Sequence, residues 1–367
     1  MKRITSLQIF TLFSMSMYTT FTAFLENPLA TSSKYSSLIA SLLGPILAWI
    51  LVYPAQQVSK ARPDQFVIEF GHELVGKWIH MICMLMIVIV NIALGATTLR
   101  QMSDFLLTEY LIGTPSWAVL LFFSLTIAYA VYSGISTIFR ASQGIFLLSA
   151  LAYLVIPIFA SNEVNSGMFP AFFTHLDVKQ FGNGLYLNLA MFGEIAFLFL
   201  LRPYLKTPDK AFRTLFGAVL FAVFINLTHL FLVLTSFGPE VTANMSYPDL
   251  ELIAFIQTGS FLQTGDPVLI ILWLTSLFVK ICFTLFMSAI GIAQITKVKD
   301  HRPFALPVIA FSTILSIVLV RTQVELNQLV SSKLPGLLII CEIMIPIIYW
   351  VAVLIRGRTD KQKEPQT

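Results

Sequence analysis

Four ionisable side chains fall inside long apolar runs of this sequence: Glu194, His229, Lys280 and Glu342. Placing such a group in hydrocarbon costs about 2.5 to 3.5 kcal/mol on insertion scales, so a function is the first thing to ask of each. Glu194 closes the tetrad Met191-Phe192-Gly193-Glu194. Glycine costs about 1 kcal/mol relative to alanine inside a helix, so the tetrad is a place where a helix can open. A carboxylate there suits a ligand amine or a proton; the structural alternative is a packing carboxylate paired with a neighbouring helix. Lys280 has a similar choice. Its ammonium can bind a ligand carboxylate or neutralise Glu194 or Glu342. Glu342 reads as structural and so does His229, since a lone histidine on an apolar helix is commonly satisfied by a neighbour. Glu26 is expected to reach water near the outer end of its span.

A second polar group lies near the start of the chain, in Met17-Tyr18-Thr19-Thr20-Phe21-Thr22. Three threonine hydroxyls in four residues can serve backbone groups freed by a local unwinding, or bond back to carbonyls of their own helix. Other chemistry finds no support. Cys83, Cys282 and Cys341 all lie in apolar segments, are odd in number and carry no metal spacing, so they read as small core residues. No phosphate loop, dinucleotide fingerprint or hydrolase motif is recognisable, so neither an enzyme nor a cofactor is expected.

These groups must be positioned by ten apolar stretches. Hydrophobic residues make up 57% of the 367 and charged residues only 11%, too much apolar surface for a soluble fold. A membrane-crossing helix needs about 20 mainly apolar residues. The spans are placed at Ile4 to Leu29, Ser36 to Tyr53, Trp78 to Thr98, Ser116 to Ser133, Gly144 to Phe159, Gly184 to Leu201, Ala211 to Ser236, Pro267 to Ile295, Phe304 to Val320 and Pro335 to Ile355. Ten crossings with the N-terminus inside leave only Lys34, Arg100, Lys179, Arg321 and Lys333 outside, and Lys280 within a span. The positive-inside rule then puts both termini in the cytoplasm. Trp49, Trp78, Trp117 and Trp350 sit near span ends, where such rings prefer the interface. The opening residues could pass for a signal peptide but lack a small-residue cleavage site, and read as the first span. The formal charge of +4 reflects loops facing anionic lipid, not nucleic-acid binding.

The chain therefore reads as one transmembrane domain over residues 1–355, with a disordered tail at 356–367. Asp249 to Phe261 has helical spacing over half a bilayer length and reads as a short helix on the outer surface. The loop around it, Phe237 to Asp266, has Glu240, Asp249, Glu251 and Asp266 but no Lys or Arg. It forms an electronegative vestibule, unless outer loops simply avoid cations. Ten spans divide into two sets of five, about 4–160 and 184–355, in which the first and sixth are equivalent. Interruptions in both predict a midplane site at the interface of two inverted repeats. Half-helix ends would offer N–H groups to a carboxylate and carbonyls to an amine, which suits a zwitterionic amino acid.

Several blocks carry a resemblance to a known family. Ile4-Thr5-Ser6-Leu7-Gln8 opens the chain; Phe192-Gly193-Glu194 runs on to Arg202-Pro203-Tyr204-Leu205-Lys206-Thr207-Pro208-Asp209-Lys210-Ala211. Phe237-Gly238-Pro239-Glu240, Tyr247-Pro248, Leu250-Glu251-Leu252, Phe278-Val279-Lys280 and Lys299-Asp300-His301-Arg302-Pro303 follow. Together they resemble the endospore germination permeases, the B subunits of spore germinant receptors, within the amino acid-polyamine-organocation superfamily. The resemblance implies an all-α polytopic protein with ten transmembrane helices in a 5+5 inverted repeat of the LeuT type, helices one and six being unwound at mid-membrane. It also implies a receptor in the spore inner membrane, assembled with an A subunit and a lipid-anchored C subunit, that senses a small nutrient such as an amino acid. One departure stands out: the family's Gly-x-Gly pair in the first helix corresponds here to Thr19 and Phe21, which makes backbone approach to a ligand harder. In related transporters a sodium ion sits near the place of Lys280, whose ammonium could stand in for it.

The candidate ligand site is thus Thr19, Thr20, Phe21, Thr22, Met191, Phe192, Gly193, Glu194 and Lys280, with Glu194, Lys280 and Glu342 as the ion-paired or proton-linked set. Three functions fit: a germinant-binding receptor subunit, a proton-coupled amino-acid transporter, and a structural receptor subunit with a degenerate site.

Overall fold

The computed structural model describes residues 3–161, 164–255, 259–319 and 323–361. Those residues are almost entirely helical. Their helices in chain order are α1 (Ser6–Phe24), α2 (Glu26–Ser33), α3 (Ser37–Leu51), α4 (Tyr53–Ala61), α5 (Val67–Val75), α6 (Lys77–Glu109), α7 (Ser116–Ser133), α8 (Ile135–Ala160) and α9 (Ala171–Thr174). Then follow α10 (Val178–Gly193), α11 (Phe197–Leu200), α12 (Ala211–Thr242), α13 (Pro248–Phe255), α14 (Gly259–Ile295), α15 (Arg302–Val318), α16 (Gln323–Gln328), α17 (Leu334–Ile339) and α18 (Ile345–Lys361).

Each predicted apolar stretch coincides with one of these helices or an adjoining pair. Eight helical segments among the described residues are long and apolar enough to cross a membrane. The helix Arg302–Val318 is apolar but shorter, and α1 has a polar middle. The short helix expected over Asp249 to Phe261 is present as α13 only as far as Phe255; residues 256–258 lie outside the described residues, and Gly259 already begins α14. The tail expected at 356–367 begins instead as the last turns of α18, which runs to Lys361, and 362–367 lie outside the described residues.

Local sequence explains where the helices start and bend. Thr5 caps α1 in a box with Gln8: Gln8 N–H donates to Thr5 Oγ1 at 3.3 Å and Thr5 N–H to Gln8 Oε1 at 3.0 Å. Just before it, Ile4 N–H donates to Tyr204 O and Lys206 N–H to Ile4 O, each at 2.8 Å. These bonds fasten the start of α1 to the strip that follows α11. Gly134, at φ +92°, turns the chain from α7 into α8 without the strain a side chain would meet. Within α12, Gly238 at φ +74° and ψ +161° breaks the helix before Pro239, close to the predicted end of that span.

Close backbone approach replaces the hydrophobic drive that lipid does not supply. A Cβ on Gly44 of α3 would lie 2.5 Å from Asn188 Cβ of α10, and one on Gly184 would lie 2.7 Å from Ala40 Cβ. α3 and α10 therefore pack against one another through small residues. The three cysteines are free and buried, as expected of core residues.

Candidate functional site

The sixth predicted span changes character where the sequence reading placed its opening. α10 ends at Gly193, Glu194–Ala196 is a single 3₁₀ turn, and α11 resumes at Phe197. This is a tightening of the helix, not an extended gap. Gly193 itself stays helical at φ −65° and ψ −22°. What requires glycine is space: a Cβ there would sit 2.5 Å from Glu342 Oε2. Glu342 reaches that position from a π-helical turn, Ile340–Met344, between α17 and α18. Such a wide turn re-aims its side chains relative to the flanking helix and is frequent at functional places.

The first span differs from expectation. α1 is helical through Thr19, Thr20, Phe21 and Thr22, so the interruption expected near Thr20 is absent. Two of the three hydroxyls bond back to their own helix: Thr20 Oγ1 donates to Ser16 O at 2.6 Å and Thr22 Oγ1 to Tyr18 O at 3.1 Å. With those acceptors one turn earlier, the hydroxyls are satisfied within the helix and rescue no break. The interruption falls at Leu25, φ −105° and ψ −23°, between α1 and α2.

At mid-bundle the two charged groups of opposite sign meet. Lys280 Nζ of α14 lies 3.0 Å from Glu194 Oε1, and Ser16 Oγ of α1 donates to the same oxygen at 3.5 Å. Met191 Sδ is 3.8 Å from the ammonium. Lys280 is 1% exposed and Glu194 7%, so water compensates neither charge and each relies on the other. Glu342 is fully buried close by, with no hydrogen-bond donor to either oxygen among the described residues. It feels the charges of both Glu194 and Lys280.

The predicted site residues therefore divide. Glu194, Lys280, Glu342, Gly193 and Met191 come together. Thr20 and Met191 share the wall of a cavity of about 20 Å³ that also touches α6 and α17. Thr19, Phe21 and Phe192 are buried in packing. Thr22 is buried on another side of α1, bonded to Tyr153 OH at 3.0 Å and lining a different cavity of about 60 Å³. Ser16 was missed; its position one turn before Thr20 was the available signal.

Two outer carboxylates also lie where the sequence did not put them. Glu26, expected to reach water, is completely buried at the start of α2. Asp249 is not a free vestibule carboxylate: its Oδ2 lies 2.8 Å from Nδ1 of His229, whose Nε2 is 2.9 Å from Tyr153 O. His229 is thus satisfied by neighbours, as expected, and one of them is the carboxyl group of Asp249. On the side of the N-terminus a larger cavity, about 660 Å³, is lined among others by His72, Lys77, Lys297, Lys299 and His301. Burial there holds the His301 imidazole below its usual range.

The model of the family described as "spore germination protein" matches residues 3–328 of the chain. The chain belongs to the spore germination protein family. Its curated relatives include spore germination protein YndE of Bacillus subtilis strain 168, 25% identical over 71% of this chain and 72% of the relative. Spore germination protein KB of the same organism is 22% identical over 89% of this chain and 88% of its own length. Among solved structures, MhsT in complex with L-phenylalanine covers 94% of this chain and 97% of its own, at a TM-score of 0.66 and 14% identity. Mhp1, a nucleobase-cation-symport-1 family transporter in a closed conformation with bromovinylhydantoin bound, covers 97% of this chain and 80% of its own, at 0.65 and 13%. At such identity the likeness establishes the fold, that of the LeuT-type transporters, and the family resemblance read from the sequence blocks is borne out. The family and its neighbours are permease-like and not enzymes.

Proposed function

We propose that this member of the spore germination family is the integral membrane subunit of a nutrient germinant receptor, binding a small nutrient, an amino acid in the first instance, beside the Glu194–Lys280 pair. The observation that carries this reading is that pair, buried at 3.0 Å where α10 gives way to a 3₁₀ turn. Charged partners at a helix irregularity, deep in an apolar bundle, are costly and have a ready use in ligand exchange: a zwitterion offers a carboxylate to Lys280 and an amine to Glu194. The bound ligands of MhsT and Mhp1, an amino acid and a ring compound, support a small organic ligand in this fold. The absent Gly-x-Gly pair and the regular α1 point to recognition by side chains rather than by open backbone.

In this proposal the chain forms one domain of ten crossings in two repeats, about 4–160 and 184–355. It lies in the spore inner membrane with both termini cytoplasmic, and works with the receptor's A and C subunits. Nutrient binding shifts a conformational equilibrium through unequal affinity for two states. A second reading, a proton-coupled amino-acid transporter, is favoured by the transporter fold together with an ionisable pair at the centre.

Dose-response curves of spores carrying Glu194→Gln or Met191→Ala, the latter beside the Lys280 ammonium, test the proposal. Both variants are expected to alter the response or its specificity at parental protein levels; curves like the parent's in both would remove the site. Uptake of labelled amino acid into proteoliposomes, driven by a pH gradient, would favour the transporter.

A further inference from the structure

Where the strip after α11 meets the start of α1, a cavity of about 490 Å³ is lined by Arg3, Thr5, Gln8, Ser136, Arg140 and Lys206. All of these are polar, three are cations and none is acidic. The cations come from separate elements: Arg3 precedes α1, Arg140 lies in the second turn of α8, and Lys206 belongs to the strip between α11 and α12. Backbone bonds hold two of them side by side. Ile4 N–H donates to Tyr204 O and Lys206 N–H to Ile4 O, so Arg3 and Lys206 flank one short parallel bridge. The hydroxyls of Ser6 and Thr207 add a contact at 2.9 Å.

Like charges gathered around one concavity repel, and none of the three has an ion-pair partner among the described residues. The cavity of about 660 Å³ differs, because its lysines share the wall with the Glu69 carboxylate and with apolar side chains such as Met81 and Met84. Donors accompany the cations here. The capping box uses the side-chain oxygens of Thr5 and Gln8 as acceptors, which leaves the Gln8 amide nitrogen and the Thr5 hydroxyl hydrogen to donate. α8 begins at the same wall behind Gly134, which supplies no capping side chain, so its first turn adds the positive end of a helix dipole. The wall thus offers cations and donors but no acidic group.

We propose that this cavity binds the phosphate group of an anionic ligand, Arg3 and Arg140 donating to its oxygens and Lys206 adding a third positive charge. A guanidinium presents paired N–H groups that match two phosphate oxygens, which a lysine alone does not. The wall has no ring on which a nucleobase could stack, so recognition is confined to the phosphate and its immediate substituents. The surroundings point to a membrane lipid as the source. Leu7, next to Gln8, is 56% exposed; Leu147 and Leu151, seven and eleven residues beyond Arg140 and so on its face of α8, are 65% and 50% exposed. Acyl chains can lie along that apolar face while the phosphate sits among the cations. A bound phosphate would tie the start of α1, α8 and the strip after α11 together. The site shares no residue with the Glu194–Lys280 pair and goes beyond the function proposed for it.

Native mass spectrometry of the full-length protein, with dioleoylphosphatidylglycerol or dioleoylphosphatidylcholine added in detergent, tests this. Calorimetric titration with inorganic phosphate against sodium chloride at equal ionic strength forms the second arm. The first molecule of the anionic lipid is expected to bind more tightly than that of the zwitterionic one. Arg140→Gln and Lys206→Gln are each expected to weaken it about tenfold, the loss of one charge-assisted contact. Both side chains are exposed, so the melting temperature should stay at the parent's. Lys60→Gln removes an equal charge from an exposed position on α4 and is expected to bind like the parent. Inorganic phosphate bound as tightly as phosphatidylglycerol, with the same losses in the two variants, would keep the site and make a soluble phosphate its ligand. No preference for the anionic lipid together with no binding of phosphate, parental affinity in both cavity variants, or an equal loss in Lys60→Gln would overturn it. Because the readout is phosphate binding and not germination, its failure is separate from failure of the Glu194–Lys280 reading.

Discussion

The middle and the outer end of the bundle bury carboxylates of similar chemistry but compensate them differently. At the middle, Glu194 has a full cation at 3.0 Å and a hydroxyl at 3.5 Å. Toward the C-terminal end of α1, Asp249 shares one proton with His229, and Glu26 has no donor among the described residues. A charge matched from within the chain behaves as part of the structure until a ligand competes for one partner. A carboxylate left without a donor waits for a proton or a cation from elsewhere. The two regions should therefore answer oppositely to removal of charge.

The largest effect is expected at Lys280. Lys280→Ala leaves Glu194 buried without its cation, at a cost of about 3 to 5 kcal/mol. Thermal melts in detergent and the level of accumulated protein should both fall. The double change Lys280→Met with Glu194→Gln should recover most of the loss, because replacing both members of a buried pair is often nearly neutral. A single variant that melts like the parent would break the contrast. Next is Gly193→Ala, where the new methyl must displace the Glu342 carboxylate 2.5 Å away. Overpacking of this kind costs about 1 to 3 kcal/mol, and a double-mutant cycle with Glu342→Ala should show the two positions to be coupled.

Glu26→Met sharpens the comparison from the other side. Removing an unmatched buried carboxyl in favour of an apolar chain is expected to leave the melting temperature unchanged or raise it. A fall as large as that of Lys280→Ala would mean that Glu26 has a cation partner of its own. The smallest effect is expected for Thr20→Val. It loses a bond to Ser16 O but keeps volume and helix, so the change should stay within about 1 kcal/mol. A larger loss would restore a direct role for that hydroxyl.

The parts of this arrangement that were legible in the sequence are those set by local composition. Long apolar runs had to become helices, and Lys280 with Glu194, too costly to bury alone, had to find partners. Which partner was not legible, since Glu342 had an equal claim until the π-helical turn placed it against Gly193. Thr19, Thr20 and Thr22 suggested a break because a hydroxyl can serve a freed backbone group, yet the same hydroxyl can serve the helix that carries it. Glu26 and Asp249 were misplaced for a different reason. Their burial is decided by packing between separate elements, α2 against α10 and α12 and α13 against α1, α8 and α12, and no local pattern reports it. Gly193 was singled out for its flexibility, whereas what the packing asks of it is the room it leaves for Glu342.

The central claim is that the buried Glu194–Lys280 pair is where the nutrient acts, over and above its part in holding the helices together. Germination dose-response of spores carrying the Lys280→Met and Glu194→Gln double variant separates the two roles, since that variant is expected to keep the fold while losing both charges. At parental protein level and melting temperature, the account predicts a half-maximal nutrient concentration raised about a hundredfold or more, the loss of two charge-assisted contacts. A curve superimposable on the parent's would contradict it.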